Sequence, residues 1–231
     1  DWSLLKDLCY TFKNDKEVVL AALRRDAFAF QYASKGMRNN KEVALKAVKK
    51  RANVLKFCSD NLKNDKDVVL AAVKRNGLAL KYSSDKLKND KDVVLVAVKQ
   101  DVSTTTENNQ TALLYASNHL KSDKDVVLGA LKFCGRSFLY AGDVLRNDKD
   151  FLLKAVNQNF FAFKYASDDL TNRKDVFLEV LKVNVYVFEL ANDNIQNDKD
   201  IVLQVVKRKG SLLQFASKEL RNNKDVVLQA V

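Results

Sequence analysis

Asn14-Asp15-Lys16-Glu17-Val18-Val19-Leu20, a polar start followed by an apolar run, decides the fold because it returns with small changes along the whole chain. Its lysine recurs as Lys16, Lys41, Lys66, Lys91, Lys124, Lys149, Lys174, Lys199 and Lys224. Successive copies lie 25 residues apart, apart from one interval of 33 between Lys91 and Lys124. A fixed period of this length marks a repeat protein, in which each unit packs only against its neighbours.

Counted from the asparagine, full units run 14–38, 39–63, 64–88, 89–121, 122–146, 147–171, 172–196 and 197–221. Residues 1–13 match the second half of a unit and residues 222–231 the first half. The expected architecture is therefore all-α: one αα-solenoid, a superhelix of 25-residue helix-turn-helix repeats over residues 1–231. The longer interval holds an eight-residue insertion near residues 103–110. Both ends cut through a repeat and neither has the polar capping unit with which solenoids usually close. The expectation is a segment of a larger protein or assembly.

The first half of each unit has a helix start signal. Asn14, Asn39, Asn64, Asn89 and Ser122 are good N-cap residues, and an acid follows three positions later as Glu17, Glu42, Asp67, Asp92 or Asp125. Apolar residues then cover most of the circumference, as in Val68, Val69, Leu70, Ala72 and Val73, as expected of a helix held on two sides. Basic residues close the helix. Gly77, Gly135 and Gly210 stand where a left-handed C-terminal residue is expected. The second half reads as a shorter helix with a recurrent aromatic (Tyr32, Phe57, Tyr82, Tyr115) and then a small residue (Ala33, Ala116) that lets neighbours approach.

Composition agrees. The 231 residues are 47% hydrophobic and 30% charged, with no proline, so there is ample core material and no residue that breaks helices outright. No apolar run approaches the ~20 residues of a membrane-spanning helix, and no membrane insertion is expected. Cys9, Cys58 and Cys134 fit neither a zinc site nor a disulfide framework. Cys58 reads as a small core residue, and a reducing intracellular compartment is the simpler inference, against which stands only the glycosylation-like triplet Asn109-Gln110-Thr111.

The phrase NDKDVVL, the pattern Tyr165-Ala166-Ser167 and the leucine that closes the unit together resemble family 4116 among the domains of unknown function. That family's unit of roughly fifty residues corresponds to two of the modules here. The resemblance implies helical repeats in large proteins and carries over no catalytic residue. Unit 172–196 departs most, with Arg173 in place of Asp and Leu190 in place of the aromatic.

The chemistry on offer is sparse. The cluster Asp65-Lys66-Asp67 recurs at every helix start, which points to capping rather than to acid–base or metal work. His119 is the only histidine. No phosphate-cradling loop and no nucleophile motif is present, so no enzyme activity, metal or cofactor is expected.

Charge is uneven. Residues 1–101 carry 22 Lys and Arg against 13 Asp and Glu, a net +9, and residues 102–231 carry 18 against 16, a net +2. Arg24, Arg25, Lys49, Lys50, Arg51, Lys74, Arg75 and Lys99 are expected to line one edge of the stack. This is the candidate surface for nucleic acid or another acidic partner, although cations also suit helix C-termini for dipole reasons. The insertion residues Thr104, Thr105, Thr106, Glu107, Asn108 and Asn109 form a candidate partner loop. The favoured function is a non-catalytic protein-interaction scaffold with a protein partner. The alternative is an RNA- or DNA-binding array that uses the basic edge of the N-terminal half.

Overall fold

Each repeat in the computed structural model, which describes residues 4–100 and 110–231, is built from three helical pieces. A long α-helix comes first, such as Lys16–Arg25, Lys41–Lys50 or Lys66–Val73; a six-residue 3-10 segment follows, such as Ala27–Tyr32, Ala52–Phe57 or Gly77–Tyr82; a four-residue α-helix closes the unit, such as Lys35–Arg38, Asp60–Lys63 or Asp85–Lys88. Among the described residues there is no strand. The protein is an all-α repeat solenoid.

The chain divides into two compact units, Asp1–Cys134 and Gly135–Val231. In the first, long helices pack on the long helices of the next repeat, and 3-10 segments on 3-10 segments, so two rows form with the core between them. Each short helix sits on the long helix that follows it. The second unit repeats the scheme with larger core residues. Phe138 meets Phe151 at 6.1 Å between ring centroids, and Phe163 meets Phe177 edge-on at 5.6 Å.

The 3-10 segment replaces the second helix expected from the sequence. Its buried positions explain why. Ala27, Ala29, Phe30 and Ala33 are buried, as are Ala52, Val54, Leu55 and Cys58; the first, third and fourth of each set fall three apart, which suits three residues per turn. The next residue, Ser34 or Ser59, is extended and starts the short helix by accepting from the N–H of Met37 or Leu62.

The helix start is displaced by one residue from the expected place. The N-caps are Asp15, Asn40, Asp65, Asp90 and Asp123, each accepting from the N–H three residues on. The preceding Asn14, Asn39, Asn64 and Asn89 close the short helix before it. The capping box expected from Asn14 and Glu17 does not form, because Asp15 takes the N-cap and leaves Glu17 in the first turn.

Gly77, Gly135 and Gly210 do not enter the left-handed region. Each opens a 3-10 segment, and two of them are glycine for want of room. A Cβ on Gly77 would lie 2.2 Å from the carbonyl oxygen of Ala97 in the next repeat, and one on Gly210 would lie 2.0 Å from that of Ala230.

Candidate functional site

Polar residues of the repeat join the end of one short helix to the start of the next. Ser34 donates from Oγ to Oδ1 of Asn14 at 2.6 Å, Ser59 to Asn39 at 2.6 Å, Ser84 to Asn64 at 2.7 Å and Ser117 to Asn89 at 2.5 Å. The second unit has Ser167 on Asn147 and Ser217 on Asn197. Beside each bond a backbone N–H crosses too, as from Ser34 to the carbonyl of Lys13 and from Ser84 to that of Lys63.

A second ladder uses the recurrent lysine. Lys41 lies 2.8 Å from Asp65 and 2.7 Å from Asp67 of the next unit. Lys66 grips Asp90 and Asp92, and Lys91 grips Asp123 and Asp125, in the same way. In the second unit Lys174 pairs with Asp198 and Lys199 with Asp225. Burial pushes the Asp65 carboxyl up, but Lys41 and the N–H groups of Val68 and Asp67 outweigh it and hold it below the ordinary carboxylate range. Asp65 and Asp67 in turn raise the Lys41 ammonium above the ordinary lysine value. The acid–Lys–acid cluster is thus spent on capping and stacking. Among the described residues, no group of three or more His, Cys, Asp or Glu is placed to hold a metal ion.

The residues of the expected basic edge all lie at the C-terminal ends of long helices in the first unit and are exposed. Two of the eight are engaged. Lys50 donates to the carbonyls of Leu23, Arg24 and Arg25, closing the preceding helix. Arg51 lies over the Phe28 ring at 5.0 Å and 4.0 Å from Asp26. Among the described residues, Arg24, Arg25, Lys49, Lys74, Arg75 and Lys99 have no carboxylate partner. Lys50 is shared by two grooves, one of about 550 Å³ lined by Phe28, Arg51, Ala52, Asn53, Arg75 and Asn76, the other of about 580 Å³ lined by Leu20, Leu23, Arg24 and Lys46. The candidate loop residues Thr104 to Asn109 lie outside the described residues.

The aromatic ladder is half-buried. Lys56 lies over Phe57 at 4.7 Å and Lys81 over Tyr82 at 4.8 Å. Cys58 is a buried core residue as its register implies, and burial pushes its thiol up to about 12.

One surface was not singled out from the sequence. In the second unit the 3-10 segments Phe160–Tyr165 and Val185–Leu190 expose Phe161 (45%) and Tyr186 (43%), and Val183 at the end of the long helix before Tyr186 is 38% exposed. Phe160 holds the two aromatics together, 4.3 Å from Phe161 and 6.1 Å from Tyr186 between centroids. The sequence signal for Phe161 and Tyr186 was weak, since their register holds Asn53, Thr111, Arg136 and Ser211 but also Phe28 and Leu78.

The model of the family described as "Domain of unknown function (DUF4116)" matches residues 1–38, 40–87, 65–121, 104–146, 123–171, 148–196, 173–213 and 198–231. The chain belongs to the DUF4116 family. Four of the DUF4116 matches begin at residues 123, 148, 173 and 198, one 25-residue unit apart, so successive matches overlap by a module. No curated protein and no solved structure matches the chain. No helix among the described residues is long and apolar enough to cross a membrane.

Proposed function

We propose that this DUF4116 array is a non-catalytic protein-interaction scaffold. The observation that carries the reading is where the repeat varies. Residues fixed in type are consumed in capping and in the serine–asparagine and lysine ladders. The exposed first turn of the 3-10 segment, in contrast, changes from Asn53, Arg136 and Ser211 to the aromatics Phe161 and Tyr186, and cations at the long-helix ends stay without carboxylate partners among the described residues. A stack that keeps its joints and varies its edge is suited to binding, and exposed aromatics are the side chains interfaces favour. The six unpaired cations favour a second reading, a nucleic-acid-binding array. Three of the nearby rings already have a cation over them, which counts against base stacking there.

Capture with the intact chain as bait tests the choice. The scaffold reading expects proteins that stay bound in moderate salt after nuclease treatment and are lost with Phe161→Ser and Tyr186→Ser. Capture abolished by nuclease, and indifferent to those substitutions, would transfer the function to nucleic acid.

A further inference from the structure

We propose that the basic edge of the first unit docks an extended, acidic segment of a partner protein, a reading that rests on the scaffold function and names the partner's chemistry. Lys50 stands between two grooves whose other cations are Arg24, Lys46, Arg51 and Arg75, and no carboxylate lines either groove. The contrast with the opposite ends of the same helices is sharp. There the ladder lysines of the first unit have carboxylates of the following repeat within 3.1 Å. Of the groove cations, Lys46 meets Glu42 at 3.3 Å and Arg51 lies 4.0 Å from Asp26, whereas Arg24, Lys50 and Arg75 have no carboxylate partner among the described residues. Helix C-terminal carbonyls offset part of the charge, and Lys50 is the residue that meets them.

Two features select a polypeptide rather than a nucleic acid. The linings include Leu20, Leu23, Phe28 and Ala52, apolar surface that suits side chains between carboxylates. The rings that a base would need are covered, Phe28 by Arg51, Phe57 by Lys56 and Tyr82 by Lys81. An acidic segment uses the cations and needs no open ring.

Fluorescence anisotropy of the intact chain with a labelled peptide of alternating glutamate and alanine tests this, beside a single-stranded oligonucleotide of equal charge. The peptide is expected to bind at moderate salt. The triple substitution Arg24→Glu, Lys49→Glu, Arg75→Glu is expected to weaken it by about tenfold or more, and the matching glutamine triple by less. The control triple Lys154→Glu, Lys182→Glu, Lys207→Glu in the second unit removes the same charge and is expected to leave binding within about twofold. Circular dichroism confirms folding, and the glutamine triple serves if the glutamate triple unfolds. Equal loss in the control, tighter binding of the oligonucleotide, no peptide binding, or self-association dissolved by the edge substitutions would each overturn the proposal. Capture through Phe161 and Tyr186 does not use this edge, so its loss or survival reports separately on the scaffold reading.

Discussion

Asp65 and Asp67 sit two residues apart, and only one caps. Both meet Lys41, but Asp65 accepts from the N–H groups of Asp67 and Val68, whereas Asp67 stands exposed in the first turn. Replacing Asp65 by alanine is expected to lower stability by roughly 0.5–2 kcal/mol, and Asp67→Ala is expected to cost clearly less. Urea unfolding of the two variants checks the order, and a reversed order would contradict the capping assignment. Ser137 is the opposite case. It is fully buried, its hydroxyl has no partner among the described residues, and its register holds Ala29, Ala79 and Ala112 elsewhere. An unpaired buried hydroxyl costs about 1–3 kcal/mol, so Ser137→Ala is expected to raise the unfolding midpoint. A lower midpoint would mean that the hydroxyl has a bonding role.

Among the elements, the long helix was the most legible part of the sequence and the rest of the unit less so. Valine and alanine at Val68, Val69, Ala72 and Val73 declare a helix buried on two sides. The cap was misplaced by one residue because Asn64 and Asp65 are equally good caps, and only the chain path shows that Asn64 ends one helix while Asp65 begins another. The break into a 3-10 segment and a short helix was hidden because six residues of one and four of the other are too few to set a period. The basic residues were placed correctly as exposed helix ends, but Lys50 and Arg51 differ from the others through contacts 25–27 residues away in sequence. The close approach at Gly77 was also invisible, since it involves the Ala97 carbonyl of the next unit. Gly77→Ala is expected to destabilise by about 1–3 kcal/mol, because a backbone atom has to move. A neutral or stabilising effect in thermal unfolding would show that the contact is not tight.

The whole stack carries a pH signature from the lysine ladder. The carboxyls of Asp65, Asp90, Asp123 and Asp198 are lowered, so their contribution is complete above the ordinary aspartate value of about 4 and is lost as pH falls through the lowered values. Lys41, Lys66 and Lys91 are raised, so theirs is complete below about 10.4 and is lost as pH rises through the raised values. The unfolding midpoint is therefore expected to be flat from about pH 4 to about 8.5, to fall below that range as the aspartates protonate, and to fall above it first through the buried Cys58 thiol and then through the lysines. A step near neutrality would contradict the ladder as the main titrating feature.

At the same scale the central claim is a division of labour: the recurrent residues hold units together and the variable edge binds. It is tested most directly by measuring unfolding midpoint and partner capture side by side for two sets of variants. Ser84→Ala with Asp65→Ala is expected to lower the midpoint and leave capture intact at temperatures where the chain is folded. Phe161→Ser with Tyr186→Ser is expected to leave the midpoint nearly unchanged and to lose capture. Loss of capture in the first set with an unchanged midpoint would contradict the account.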